Sequence, residues 1–149
     1  MKMKLDFLER WRHRHGFGVQ SPWAYELVTD ALTDRHRYYV FDRLAGNESD
    51  EQLFRLARWL GEGWELMGEG LDSHAREYVL AARTGMVVRD LDLDAAGPHT
   101  CAVVEDIRHS RRNLWQRLLH HTATTSTFDL GNRGIAFFDP ARQRQNYKL

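Results

Sequence analysis

Only ten residues, Leu91 to Thr100, separate Asp90 from Cys101, and this short span constrains the fold more than any other feature of the sequence. Met86-Val87-Val88 before it and His99-Thr100-Cys101-Ala102-Val103-Val104 after it are rich in strand-forming residues and read as strands. Two parallel strands joined by a crossover need at least ~10–12 residues, usually including a helix. Leu91-Asp92-Leu93-Asp94-Ala95-Ala96-Gly97-Pro98 therefore predicts a loop, not a crossover helix. A full doubly wound sheet would place two further strand and helix units here. The expected sheet is a reduced one.

A chain of 149 residues supports one compact domain with a real core. Up to Leu60 its texture is helical. Leu5, Phe7, Leu8 and Trp11 predict an amphipathic helix over 4–12, ended by Gly16 and Gly18. Ser21-Pro22 is a helix start, with Trp23, Ala24, Leu27, Val28, Ala31 and Leu32 as its apolar stripe. Tyr38-Tyr39-Val40-Phe41 reads as a linker. Ser49 and Gln52 stand at capping-box spacing before Leu53, Phe54, Leu56 and Ala57.

After Gly61, short strand-like runs alternate with helical patterns, the mark of an α/β arrangement. Trp64-Glu65-Leu66-Met67 predicts a strand leading into Gly68-Glu69-Gly70. Asp72 or Ser73 then caps a helix carrying Ala75, Tyr78, Val79 and Ala82, closed by Gly85. Ser110 is expected to cap a helix with Leu114, Trp115, Leu118 and Leu119 buried. Residues 126–130 and 135–139 flank a glycine-bearing turn, a predicted antiparallel hairpin. The expected organisation is a helical N-terminal extension over 1–60 and a reduced α/β core over 61–149, forming one compact unit.

Apolar residues make up 42% and charged residues 28%, with 21 acids against 21 bases, a globular composition without the charge bias of a general polyanion binder. Basic ends and an acidic middle read as solvated faces. The basic, aromatic-bearing Trp11-Arg12-His13-Arg14-His15 could pair with phosphates, but zero net charge argues against nucleic acid as the partner. No apolar run approaches the ~20 residues that span a bilayer, and the charged N-terminus does not resemble a secretory signal, so the expectation is a cytoplasmic protein with no membrane partner. Cys101, the one cysteine, reads as a buried structural thiol. The eight histidines lack metal-ligand spacing, and Glu105-Asp106 reads as capping and solvation before it reads as a cation site, so no metal is expected.

Three segments carry a resemblance to a known family. They are Arg14-His15-Gly16-Phe17-Gly18-Val19-Gln20-Ser21-Pro22-Trp23-Ala24-Tyr25-Glu26-Leu27-Val28, Val103-Val104-Glu105-Asp106-Ile107-Arg108-His109-Ser110, and Phe128-Asp129-Leu130 through Gly134-Ile135-Ala136-Phe137-Phe138. In this order they resemble bacterial class I S-adenosylmethionine-dependent methyltransferase-like proteins with a helical N-terminal extension. The resemblance implies a Rossmann-like sheet with a terminal antiparallel hairpin, and S-adenosylmethionine as the cofactor of an active member. It points to Glu65, Gly68, Gly70, Asp90, Glu105 and Asp106 as the cofactor-binding positions, and assigns no catalytic residue. The match departs from the pattern at Leu66, where an acid would stand, and at Asp72, which replaces a third glycine. Asp90 follows Gly70 by 20 residues, a spacing that suits ribose recognition.

These features give two expectations. The first is a truncated, methyltransferase-like protein that has lost catalysis, binds no cofactor, and serves as a binding or subunit-interaction protein. The alternative is a minimal S-adenosylmethionine-dependent enzyme completed by dimerisation. Both carry a homodimer, because a reduced sheet leaves a strand edge and apolar surface to cover.

Overall fold

In the computed structural model, which describes residues 2–14 and 21–149, the chain is helical before Gly61 and alternates strands with helices after it. His15, Gly16 and Gly18 lie outside the described residues. The helices are α1 (Lys2–Arg14), α2 (Pro22–Leu27), α3 (Tyr39–Leu44), α4 (Glu48–Leu60), α5 (Ser73–Ala81) and α6 (Arg112–His120). The strands are β1 (Glu65–Glu69), β2 (Val87–Asp90), β3 (Thr100–Glu105), β4 (Ser126–Asp129), β5 (Arg133–Phe137) and β6 (Gln145–Lys148).

Local chemistry sets the helix ends. Ser21 Oγ accepts the amide of Ala24 at 3.3 Å, and Pro22 fills the first position of α2, as the sequence predicts. The helix then widens into a π-helical stretch, Val28–Leu32, that stays on the core. α4 starts earlier than expected. Its capping box is Asn47 with Asp50, not Ser49 with Gln52. Ser49 thus lies inside the first turn, past the position from which a side chain can cap. Asp72 Oδ1 caps α5 through Ala75 at 2.8 Å. That helix stops at Ala81, before Gly85, with Arg83 already in the left-handed region at φ 54°. Ser110 does not cap α6, whose N-cap is Arg111.

The strands form one six-stranded mixed sheet in the order β2-β1-β3-β5-β4-β6, so the molecule is an α/β protein. β1 pairs in parallel with both β2 and β3. β5 is antiparallel to β3 and β4, which gives the expected terminal hairpin. β6 extends the sheet by pairing in parallel with β4. Because β2 and β3 flank β1 and run the same way, residues 91–99 cross over it. The segment is a loop, as predicted, and it still makes the crossover. One 3-10 turn, Leu93–Ala95, replaces the helix. Leu91, Leu93 and Ala96 pack on the buried cluster of Ala102, Val104, Trp115 and Leu118, covering that face beside α6.

The opposite face of the sheet meets the helical segment. Leu27, Val28, Leu53 and Leu56 from residues 1–60 share one core with Leu66, Val103, Phe128, Ile135 and Phe137. Residues 1–60 and 61–149 therefore bury their apolar surface together. A satellite cluster of Phe41, Phe54 and Tyr78 holds α3 against α4 and α5. No described helix is long and apolar enough to cross a membrane.

Candidate functional site

Open α/β sheets bind ligands outside the carboxyl ends of their strands, where successive connections leave in opposite directions. Here that point lies between β1 and β3, since β2 and β3 fall on either side of β1. The fold brings Gly68, Gly70, Asp90, Glu105 and Asp106 to this carboxyl edge. It does not bring Glu65. That residue opens β1 at the other end, where its carboxylate meets Arg89 Nη2 at 2.9 Å and Thr100 Oγ1 at 3.0 Å. The sequence places Glu65 three residues before Gly68, and an extended strand carries those residues to opposite edges of the sheet.

The two glycines face the protein's own side chains. A Cβ added to Gly68 would collide with the side chain of Leu71. At Gly70, φ is +85°, a conformation that favours glycine, and an added Cβ would stand 2.5 Å from Arg111 Cζ. The Arg111 guanidinium thus rests on the open face of Gly70, where close backbone approach would otherwise be available to a ligand. Arg111 is carried there by the loop after β3, through its amide bond to the Asp106 carbonyl at 3.2 Å.

The acids at this edge have partners of their own. Asp106 sits at φ 55°, and its Oδ2 accepts the Ser110 hydroxyl at 2.6 Å and the Ser110 amide at 3.2 Å. The Ser110 hydroxyl is the main influence holding the Asp106 carboxyl below its usual range, helped by the Ser110 amide and by the nearby charges of His109 and Arg111. Glu105 is bound at two points by Arg133, through Nε and through Nη2, the latter at 3.1 Å. Arg133 also donates from Nη1 to the Ser49 carbonyl at 2.6 Å and to Gln52 Oε1 at 3.0 Å. Asp90 projects into solvent and pairs with Arg76 at 3.1 Å.

Sequence reasoning missed three participants. Glu69, not Glu65, is the acid that ends β1, two residues beyond the predicted strand end at Met67. Arg111 precedes α6 and folds back onto Gly70, outside the apolar pattern that predicts the helix. Arg133 falls within the turn predicted between residues 130 and 135. It is the first residue of β5, directly opposite Glu105, and only 6% exposed.

Other chemistry is sparse. Cys101 is buried within β3, and burial pushes its thiol pKa upward, so the thiolate is disfavoured. Among the described residues no group of three or more His, Cys, Asp or Glu is placed to hold a metal ion. A cleft of about 400 Å³ opens at the end of α1, lined by Arg14, residues 32–35, Arg37, side chains from the first two turns of α4 and Leu130. Another of about 440 Å³, lined by Trp64, Glu65, Val87, Pro98 and His99, lies at the amino edge of the sheet, away from Gly70. Comparison with protein-family models, curated proteins and solved structures gives no match.

Proposed function

We propose that this chain is a reduced, Rossmann-like relative of class I methyltransferases that works as a binding or subunit-interaction protein and does not transfer methyl groups on its own. The observation that carries the reading is Arg111 against Gly70, which sets a cationic side chain where a cofactor's polar tail would approach the backbone. The Glu105–Arg133 pairing supports it, since that carboxylate is already committed at the strand end. So does the helix-free crossover, which leaves less wall around a nucleoside than a crossover helix gives.

Calorimetric titration with S-adenosylmethionine tests the proposal. No saturable heat at millimolar ligand is expected. Saturable binding that is abolished by Gly68→Asp would instead establish a working cofactor site.

One observation favours the alternative, a minimal enzyme completed by a second subunit. Gly68 is paired in register with Asp90, which sets an acid on the strand beside the glycine turn, as ribose recognition requires. Arg111 reaches Gly70 with the far end of a flexible side chain, which a tight ligand could displace. Homodimerisation belongs to both readings. It is supported by β2, a strand at the sheet edge whose Val87 is 55% exposed. Light scattering at high protein concentration should give twice the chain mass, and a monomeric mass would refute the dimer.

A further inference from the structure

The cleft at the end of α1 combines a fixed polar floor with four guanidinium groups, those of Arg14, Arg35, Arg37 and Arg55. Its floor is Gln52, whose amide is held at both ends: Nε2 donates to the Leu32 carbonyl at 3.0 Å, and Oε1 accepts from buried Arg133 at 3.0 Å. One wall carries Arg35, Arg37 and Arg55. Glu51 is the acid buried in that wall, and it serves two of these groups at once, Arg37 at 3.1 Å and Arg55 at 3.7 Å, while Arg37 also pairs through Nη2 with Asp42 at 3.2 Å and keeps its Nε–H for a further acceptor. Both guanidiniums lie near the Phe41 ring, at 5.7 and 5.3 Å, which limits their freedom. Arg35 lines the same cleft and has no carboxylate within ion-pair distance among the described residues. Arg14 also lines the cleft, its guanidinium reaching the Leu149 carbonyl at 3.4 Å.

From this arrangement we infer that the cleft binds a small metabolite through one oxyanion group, a carboxylate or a phosphate, received by Arg35 together with Arg37. Guanidinium groups suit both anions because their forked donors match the spacing of two oxygens. The volume, about 400 Å³, fits a small-molecule ligand. Asp34 and Glu48 line the same cleft, so the charge is not uniform. They select against polyanions and favour a ligand whose other end is a hydroxyl or an amine. The site lies where β4 ends, on the carboxyl edge of the sheet, and it does not depend on any cofactor at Gly70 or on the methyltransferase-like reading.

The test is an NMR titration of the arginine Nε–Hε resonances with sodium phosphate and, separately, sodium succinate at fixed ionic strength. Saturable shifts of Arg35 and Arg37 are expected with at least one anion. Phosphate alone would identify a phosphate ester, succinate alone a carboxylate, and both a general oxyanion site. Arg35→Gln should weaken binding by about tenfold, the loss of one charge-assisted contact. Arg117→Gln, on the exposed face of α6, should leave it unchanged. Absence of saturation with either anion, or equal weakening by both variants, would overturn the inference.

Discussion

Arg133 and Glu105 stand directly opposite each other on β5 and β3, and the arginine uses its remaining donor to reach the Ser49 carbonyl at the start of α4. Antiparallel pairing sets the two side chains on the same face. One buried guanidinium therefore ties the helices of residues 1–60 to the carboxyl edge of the sheet. The same residue fixes Gln52, the floor of the neighbouring cleft.

Replacing Arg133 with Met leaves Glu105, Ser49 and Gln52 without their shared donor. The expected cost is about 3 kcal/mol, because removing one partner of a buried pair strands the other. Glu105→Gln should cost less, since that carboxylate is partly exposed. The Met/Gln double variant should be more stable than the sum of the two losses predicts. Urea denaturation of the three variants measures this directly.

Gly134 lies under Trp115, and a Cβ added there would sit 2.5 Å from ring atom Cζ3. The indole is buried in the core, 3% exposed, so moving it disturbs the packing around it. Gly134→Ala is expected to destabilise by about 1–3 kcal/mol through overpacking. Gly97→Ala meets nothing within 4 Å and should stay within about 0.5 kcal/mol of wild type. Thermal unfolding of the two variants separates a packing requirement from a general intolerance of alanine.

The α4 capping box gives a third test. Asn47→Ala should cost about 1 kcal/mol, the value of a lost side-chain cap. Ser49→Ala should cost less than about 0.5 kcal/mol, because only its backbone carbonyl is used. Chemical denaturation that ranks them the other way would restore Ser49 as the cap.

Asp106 titrates below the usual carboxylate range because Ser110 bonds its ionised form. A folded-state value below the unfolded one means that this contribution to stability is present above the unfolded pKa and is lost as the pH falls through the folded value. Ser110→Ala should raise the Asp106 pKa towards its ordinary value. Carboxyl carbon shifts followed by NMR from neutral pH into acid would show the change.

Much of the fold was legible in local chemistry. Ser21-Pro22, the Asp72 cap and the two hydrophobic runs at β1 and β3 each carry their signal within a few residues. α3 was not legible, since Tyr38-Tyr39-Val40-Phe41 has no helical stripe. It is helical because Phe41 packs on Phe54 and Tyr78, both distant in sequence. β6 was missed for a related reason. Gln145-Asn146-Tyr147-Lys148 is polar, and only Tyr147 of the strand is buried, stacked on Phe128. At the candidate site, the sequence identified the glycines and strand-end acids that gather at one edge. It gave no sign that Arg111 and Arg133 occupy them, because both contacts depend on pairing across the sheet and on a loop that folds back.

Arg111 fills the face of Gly70, and a nuclear Overhauser measurement reads that contact directly. Cross-peaks between the Gly70 Hα protons and the Arg111 Hδ and Hε protons are predicted. They should persist unchanged when S-adenosylmethionine is added to millimolar concentration. Loss of those cross-peaks on addition, with saturable shifts of the amides from Gly68 to Asp72, would contradict the account.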